Sequence, residues 1–392
     1  MYQAREMIYL DNAATTRPDP TVVAAINEVL TDRWGNPSSA HEAGSRAKMS
    51  LEEARSSIAR LLECNADEVY FTSGGTEADN WALLGVLDFW RGRRSHLVTV
   101  ATEHHAVIDT AKGWQEHGGS ATILKVDSEG RLDPQDVAKA ITPQTALVSV
   151  MHVNNELGTI QDIAAIGSFC REREVVFHTD CVQSFGKLPL RLAETNADLV
   201  SISGHKIHGP KGVGALVIRR GLRISPRFIG GSQERNLRTG TENVPGIVGF
   251  GVAASLCARK MSGESQQIET LRDRLEALIL KRIPDVRING SRTHRSPGVL
   301  NVSFPGCEGE ALLVALDRKG FCVSTGSACS AGAAGASHVL LALGLDMLTA
   351  QSSLRFSFGR FNPPEDVDAL MEVLPSLVER QRATAPVSVR GS

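Results

Sequence analysis

Short apolar runs alternate with longer amphipathic segments through the middle of the chain, and this alternation constrains the fold more than any other feature. The runs are rich in β-branched residues, which favours strands. Helical patterns lie between some of them, at residues 76–87 and 163–172, and Asp162 is a possible N-cap of the second. The alternation predicts an α/β fold whose largely parallel sheet carries helices on both faces. The predicted strands are residues 69–72, 97–100, 121–126, 146–152, 175–179, 199–203 and 213–218.

The pattern changes near residue 261, where a charged amphipathic segment at 266–282 leads into shorter elements. This pattern of shorter elements is typical of a smaller α+β domain. The chain has 392 residues, which exceeds the roughly 250–300 residues at which a single core usually divides. We therefore expect two domains with a boundary near residue 262. The shorter elements are strands at 286–289, 299–304, 321–324 and 353–357, a helix at 309–319, and a final helix after residues 363–364.

The composition excludes several classes of protein. The 42 Lys+Arg against 44 Asp+Glu argue against nucleic acid as a direct partner, because phosphate binding needs a basic face. The seven cysteines include no C-x-x-C pair, which excludes a disulfide scaffold or a zinc ribbon. No apolar run approaches the roughly 20 residues of a membrane span, and residues 1–10 lack a signal-peptide pattern. We expect a cytoplasmic protein, without membrane contact, whose thiols are mostly inert in the core.

Ligands of such sheets bind beyond the carboxyl ends of the strands, so the residues that follow each strand are the candidates for chemistry. Residues 73–77, Ser-Gly-Gly-Thr-Glu, join a strand to a helix and could bind a phosphate through free backbone N–H groups. His104 follows the next strand and could stack on an aromatic ring or transfer a proton. Asp180 ends a strand, where it could hold a protonated ring nitrogen or could instead cap a helix.

Four further positions complete the candidate set. Lys206 follows a buried strand and could form a Schiff base, or be a solvated loop lysine. Cys329 lies among small residues at 324–335, which makes it the best candidate for an exposed nucleophile. Asn155 and Arg355 could bind a carboxylate, or serve in a turn and in a structural ion pair respectively. No metal site is predicted, because the histidines near Lys206 lack an HExxH pattern.

Taken together, these residues form the set that a pyridoxal-phosphate (PLP) enzyme needs. With them the chain resembles the group I cysteine desulfurases (NifS/IscS-like) of the class V aminotransferase family, over nearly its whole length. The motifs that carry the resemblance are Thr-Glu-His-His at 102–105, Met-His-Val-Asn-Asn-Glu at 151–156, Ser-Gly-His-Lys at 203–206 and Gly-Ser-Ala-Cys at 326–329.

The resemblance implies fold type I of the PLP-dependent transferases, with a mostly parallel seven-stranded sheet in a large PLP-binding domain at residues 16–262. The small domain would combine residues 1–15 and 263–392, and would carry a mobile catalytic-cysteine loop at about 323–336. The resemblance also implies a homodimer, because a residue of the second subunit would help to bind the cofactor phosphate.

The resemblance also implies a role for each candidate residue. Lys206 would hold PLP covalently and move the Cα proton of the substrate, while His104 would stack on the ring and handle the thiol proton. The remaining cofactor-binding residues would be Asp180 at the ring nitrogen, Gln183 at the ring hydroxyl, Asn155, and the phosphate-binding residues Gly75, Thr76, Ser203, His205 and Thr241 of the second subunit. Asn155 and Arg355 would hold the substrate carboxylate.

The activity implied by the resemblance is the removal of sulfur from L-cysteine, which gives L-alanine and a persulfide on Cys329. The sulfur would then pass to an acceptor or scaffold protein, in iron–sulfur cluster assembly or another thiolation. Two alternatives remain open at this stage. One is a selenocysteine lyase or other β-eliminating PLP enzyme, and the other is a sulfur-relay or scaffold protein without turnover.

Overall fold

The structure is a computed structural model that describes residues 7–326 and 335–384. The strands are β1 (Ile8–Tyr9), β2 (Val69–Thr72), β3 (His96–Val100), β4 (Ser120–Leu124), β5 (Thr145–Ser149), β6 (Val176–Asp180), β7 (Leu199–Ser203), β8 (Gly214–Ile218), β9 (Arg287–Asn289), β10 (Val299–Ser303), β11 (Phe321–Cys322) and β12 (Ser353–Ser357). The helices are α1 (Pro20–Asp32), α2 (Glu42–Leu62), α3 (Gly75–Phe89), α4 (His105–Glu116), α5 (Pro134–Ala140), α6 (Ile163–Glu172), α7 (Leu192–Thr195), α8 (Val244–Arg282), α9 (Gly309–Asp317), α10 (His338–Ala342), α11 (Met347–Gln351) and α12 (Glu365–Thr384).

One large sheet dominates the fold. Among the described residues it contains seven strands, in the order β2-β8-β7-β6-β5-β3-β4. Strands β3 to β7 pair in parallel, and β8 runs antiparallel to both of its neighbours, β2 and β7. The predicted α/β fold with a mostly parallel seven-stranded sheet is therefore confirmed.

Helices cover both faces of this sheet. Every residue of β3, β5, β6, β7 and β8 is buried, which explains why these strands are nearly continuous apolar runs in the sequence. One apolar cluster joins the sheet to α1, α2, α6 and α8, and another joins its opposite face to α3 and α4. Asp162 caps α6 as predicted, because its side chain accepts the N–H of Ala165 at 3.0 Å.

The C-terminal part of the chain forms a smaller sheet in which β10 pairs antiparallel with both β9 and β12. The N-terminal strand β1 pairs in parallel with β11, so residues near both ends of the chain share a third apolar cluster around Leu10, Phe304 and Phe356. The division into two domains near residue 262 stays a prediction. Helix α8 runs through that position without a break.

Helix α8 has 39 residues and touches both parts of the molecule. Near its start Phe250 packs on the turn Gly204–Lys206, and a Cβ on Gly204 would lie 3.2 Å from the Phe250 ring. Near its end the helix packs on β10 and α12. Although α8 is long, neither it nor any other helix in the described ranges is apolar enough over a sufficient length to cross a membrane.

Candidate active site

The amine of Lys206 lies just beyond the carboxyl end of β7. Its Nζ donates hydrogen bonds to the carbonyl oxygens of Ala13, at 2.6 Å, and Ala14, at 2.7 Å. The Nε2 of Gln183 donates to the same Ala13 oxygen at 2.8 Å. Two residues that the sequence analysis assigned to the cofactor therefore meet at one carbonyl, which belongs to a segment to which no role was assigned.

That N-terminal segment is fixed in place by its own hydrogen bonds. The backbone N–H and the hydroxyl of Thr16 both donate to the carbonyl oxygen of His205, at 2.9 and 2.8 Å. The hydroxyl of Tyr9 donates to the carbonyl oxygens of Asp11 and Thr15, at 3.0 and 2.9 Å. Residues 9–16 thus form one wall of the site beside Lys206.

Asp180 provides a buried carboxyl group at the end of β6, and the residue is 5% exposed. Burial raises the pKa of Asp180 to about 6, although a hydrogen bond from the N–H of Val182 and the charge of Lys206 act in the opposite direction. A cationic group beside the carboxyl would favour its charged form. Asp180 is therefore suited to pair with a protonated ring nitrogen near Lys206.

His104 is the N-cap of α4, and its Nδ1 accepts the N–H of Ala106 at 3.1 Å. Because Nδ1 is the acceptor, we assign the ring proton to Nε2. Burial, and then the charge of Lys206, lower the pKa of His104 to about 4, so the ring is neutral near pH 7. A neutral ring at this position is suited to stacking on an aromatic cofactor and offers Nε2–H as a donor.

The start of α3 forms an opening for an anion. The helix begins at Gly75, so Thr76 is its second residue, and within residues 7–326 and 335–384 no side chain caps it. A Cβ on Gly75 would lie 2.7 Å from Cγ2 of Val182 and 3.9 Å from Cβ of Ser203, which places this backbone beside Ser203. In the described part of the chain the buried Oγ of Ser203 has no hydrogen-bond partner.

These groups fit a phosphate ester. The uncapped N–H groups of a 15-residue helix and the orphaned hydroxyl of Ser203 are donors that an anion would satisfy. His205 is adjacent in sequence to Lys206, and its Nδ1 lies 3.1 Å from Oγ1 of Thr15, which leaves Nε2 for another contact. Burial lowers the pKa of His205 to about 4.

Arg355 and Asn155, the predicted carboxylate-binding pair, are in direct contact. Nη1 of Arg355 donates to the backbone oxygen of Asn155 at 2.9 Å, and Nη2 donates to Oδ1 of Asp11 at 2.7 Å. Among the described residues, Oδ1 of Asn155 and Nε of Arg355 are buried and have no hydrogen-bond partner. These atoms offer a buried donor and acceptor for a small polar ligand, and Asp11 is a member of the site that the sequence analysis did not identify.

Glu156 and His338 are two further residues that the sequence analysis did not assign. Oε2 of Glu156 accepts a hydrogen bond from Oγ of Ser337 at 2.5 Å, and His338 Nε2 lies 2.9 Å from the backbone oxygen of Glu103. The ring of His338 lies 4.8 Å from that of His105. Glu156 belongs to the Met-His-Val-Asn-Asn-Glu motif, which was the available signal, whereas nothing in the sequence near His338 indicated its position.

The two remaining predicted residues, Thr241 and Cys329, are not part of the contacts described above. Thr241 is exposed and lies three residues before α8. Cys329 lies outside the described residues, so its assigned role stays a prediction. The six described cysteines are poor nucleophiles, because burial raises the pKa of each thiol; they are Cys64, Cys170, Cys181, Cys257, Cys307 and Cys322.

Known proteins are similar to this chain over nearly its whole length. The profile described as aminotransferase class-V matches residues 8–370. A cysteine desulfurase of Nostoc sp. is 46% identical over 380 residues, which cover 97% of this chain and 95% of the relative. The cysteine desulfurase IscS of Methanosarcina thermophila is 44% identical over 97% of this chain and 94% of its own length.

Solved structures are also similar. One described as a NifS-like protein superposes with a TM-score of 0.90 at 35% identity, covering 95% of this chain and all of its own. A structure of SspA in complex with cysteine has a TM-score of 0.81 at 34% identity, covering 91% of this chain and 100% of its own. Since the profile and these relatives span nearly the whole sequence, the chain belongs to the class-V aminotransferase family, among its NifS/IscS-like cysteine desulfurases.

Proposed function

We propose that this protein is a PLP-dependent cysteine desulfurase that converts L-cysteine to L-alanine and retains the sulfur as a persulfide on Cys329. The convergence of Lys206, Asp180 and His104 at the strand ends is the observation that carries the proposal. The contact between Arg355 and Asn155 supports a joint role for them in binding the substrate carboxylate. The relative solved in complex with cysteine supports the choice of substrate.

Several residues of the site are suited by their positions to hold the cofactor. Lys206 would bind it covalently, Asp180 would pair with its ring nitrogen, and the start of α3 with Ser203 would bind its phosphate. Gln183 would face the ring hydroxyl with the second hydrogen of Nε2. When bound, PLP supplies an electron sink for the bonding electrons of the substrate Cα.

The residues of the chain then have distinct tasks. Arg355 would exchange Asp11 for the substrate carboxylate, since both anions use the same planar guanidinium. The Nζ of Lys206 would move the Cα proton. His104 offers a hydrogen at Nε2, and it can accept a second proton only at Nδ1, by giving up its bond to the N–H of Ala106. The geometry therefore favours His104 as a donor to the substrate sulfur before it acts as a base.

Sulfur would pass from the substrate to Cys329 by nucleophilic attack. The thiolate of Cys329 attacks the substrate sulfur, an S–S bond forms and the Cβ–S bond breaks. The electron pair of the broken bond stays with the substrate, which takes up protons and leaves as L-alanine. Cys329 keeps the sulfur as a persulfide, which an acceptor or scaffold protein removes. Iron–sulfur cluster assembly is one pathway that this chemistry would serve, in the reducing cytoplasm that the cysteine usage indicates.

The homodimer is part of the same proposal. Phe228 and Ile229 are 49% and 99% exposed in the segment that precedes Thr241, and Trp34, just after α1, is 73% exposed. Exposed apolar side chains of this size are typical of surfaces that bind another chain. We expect a second copy to cover them and to receive Thr241 at its own phosphate site.

Complementation tests the shared site. Lys206→Ala and Thr241→Ala should each be inactive or strongly impaired as homodimers. A co-expressed mixed dimer should recover activity, because one of its two sites keeps an intact Lys206 and an intact Thr241 of the other subunit. Full activity of Thr241→Ala, or an inactive mixed dimer, would contradict a phosphate site shared by two subunits.

The proposed activity itself is tested by mass spectrometry after incubation with L-cysteine. The peptide that contains Cys329 should gain the mass of one sulfur atom, and alanine should form in the same amount. Cys329→Ala should abolish both, whereas Cys322→Ala is a matched control that should abolish neither. Borohydride reduction should attach the cofactor to Lys206. Alanine formation that persists in Cys329→Ala would instead indicate a lyase that releases the chalcogen without this thiol, as a selenocysteine lyase can. Pyruvate and ammonia in place of alanine would indicate a β-eliminating enzyme.

A further inference from the structure

Glu156 is a buried carboxyl group next to the substrate-binding pair, yet none of the roles above uses it. The residue is 4% exposed and follows Asn155 directly. The side chain of Asn154 fixes its backbone, because Oδ1 of Asn154 accepts the N–H groups of both Glu156 and Leu157 at 2.9 Å. The backbone of Glu156 therefore has little freedom to move.

The carboxylate of Glu156 contacts the chain after residues 327–334. Ser337 donates its hydroxyl hydrogen to Oε2 at 2.5 Å. The same hydroxyl oxygen accepts the N–H groups of Val339 and Leu340, at 3.1 and 3.3 Å, and so caps α10. Glu156 thus fixes both the rotamer of Ser337 and the start of that helix.

The same oxygen also lies against the chain before residues 327–334. A Cβ on Gly326 would lie 2.8 Å from Oε2 of Glu156, and Gly326 has a φ of +86°, so this close approach requires glycine. Two residues earlier, the backbone of Ser324 pairs with Arg355, whose N–H donates to the Ser324 oxygen at 2.6 Å. The chain before residues 327–334 is therefore bonded to Arg355, and the chain on both sides of them contacts Glu156, which follows Asn155 directly.

We infer that Glu156 is a positioning residue for sulfur transfer, which holds Gly326 and Ser337 at a fixed place beside Asn155 and Arg355. The inference rests on the proposed function, because it gives these anchors a purpose only if Cys329 is the acceptor of sulfur. Cofactor binding and Cα chemistry lie on other residues and do not depend on Glu156.

An acceptor atom is required at this position, and a negative charge is not. Ser337 is the donor in the bond, so an amide oxygen can replace the carboxylate oxygen. Burial raises the pKa of Glu156, while the bond from Ser337 and the charges of Arg355, His338 and His105 act to lower it. Glu156→Gln should therefore keep the anchor, and Glu156→Ala should lose it.

Two substrates separate positioning from general damage to the site. L-Cysteine needs attack by the thiol, whereas the chloride of β-chloro-L-alanine leaves without one. Loss of one buried hydrogen bond corresponds to about tenfold in rate. We expect Glu156→Ala and Ser337→Ala each to lower kcat for L-cysteine about tenfold, with β-chloro-L-alanine elimination within about twofold of wild type. Because they break the same bond, the double variant should be no slower than either single variant.

Glu156→Gln should retain cysteine turnover within about threefold of wild type, as a conservative rescue. Ser352→Ala is the matched control, since Ser352 is also buried but its hydroxyl donates to the backbone oxygen of Thr349 in α11. The rates of this variant with both substrates should be unchanged. If Glu156→Ala does not fold, Ser337→Ala and Glu156→Gln carry the same comparison.

The outcomes are distinguishable. Equal losses for both substrates, or a Glu156→Gln variant as slow as Glu156→Ala, would overturn the inference and leave the proposed function intact. A wild-type protein that eliminates chloride but forms no persulfide from cysteine would overturn the proposed function, and this inference with it.

Discussion

Gly75→Ala is the substitution that tests most directly whether the start of α3 binds the cofactor phosphate. The added Cβ would lie 2.7 Å from Cγ2 of Val182, well inside van der Waals contact. In the free protein the first turn of α3 can shift to relieve this overlap. Binding of the phosphate would require the backbone N–H groups to return, so the cost of the overlap appears in the affinity for PLP.

The size of the effect follows from the cost of overpacking, which is about 1–3 kcal/mol for an added methyl in a packed site. If most of that cost is taken from binding, the Kd for PLP rises by about 5- to 150-fold. Val182→Ala removes Cγ2, after which the nearest Val182 atom to the new Cβ is its own Cβ, at 3.8 Å. The double variant Gly75→Ala/Val182→Ala should therefore bind PLP within about threefold of Val182→Ala alone.

Titration of the apoprotein with PLP, followed by absorbance or by quenching of tryptophan fluorescence, measures these affinities. Gly113→Ala is the matched control, because Gly113 lies inside α4 and an added Cβ meets no atom within 4 Å. It should leave the Kd unchanged. A wild-type Kd in Gly75→Ala, or a double variant that stays as weak as Gly75→Ala, would refute the assignment of this backbone to the phosphate.

Three other predictions follow from buried groups. Arg355→Lys should raise the KM for L-cysteine about 10- to 100-fold while the bound-cofactor spectrum stays unchanged, and an unchanged KM would exclude Arg355 from carboxylate binding. Arg55→Met should lower the free energy of unfolding in urea by about 3–5 kcal/mol, because Arg55 forms a buried ion pair with Glu234 at 2.7 Å; a loss below about 1 kcal/mol would show that the pair is not needed. Burial lowers the pKa of six described histidines below that of the unfolded chain; one of them is His96, and for the other five the pKa falls to about 3 for His178 and to about 4 for the rest. The unfolded state therefore binds protons first, and thermal stability should fall as the pH drops from about 6.5 to about 4. His178→Gln should weaken that dependence, and an equally steep dependence in the variant would contradict the role of burial; the histidines with a pKa of about 4 are His104, His152, His205 and His208.

The sheet was largely predictable because burial on both faces leaves a clear apolar signal. Strands β2, β7 and β12 coincide with the predicted residues 69–72, 199–203 and 353–357. The direction of β8 was not predictable in the same way. An apolar run of five residues is the same whether the strand runs parallel or antiparallel, and only the pairing with β2 and β7 decides it.

The extent of α8 was also hidden in the sequence. Its first half is apolar and packs on α1 and α2, whereas its second half is charged and amphipathic. That change in composition predicts the domain boundary, which stays a prediction, and within α8 it coincides with a change in what the helix packs against. Gly263 lies inside the helix and does not interrupt it.

The candidate site was predictable where a residue ends a strand, as Asp180 does, or follows one, as Lys206 does. It was not predictable where two distant segments meet. The carbonyl of Ala13 lies 193 residues before Lys206, and Asp11 lies 344 residues before Arg355. Backbone oxygens carry no sequence signature, and contacts of this range appear only once the chain is folded.

The continuous helix α8 contacts both the turn that carries Lys206 and the smaller sheet that carries Arg355. At 1.5 Å per residue its 39 residues span about 58 Å, with one end against the lysine turn and the other against the sheet that carries the guanidinium. Inserting one amino acid midway would advance its far end by about 1.5 Å and rotate it by about 100°. Such a shift would move the sheet that carries Arg355 relative to the turn that carries Lys206, although residues 11–14 bond to both side chains. We therefore expect changes in the length of α8 to be tolerated far less than changes in the length of surface loops.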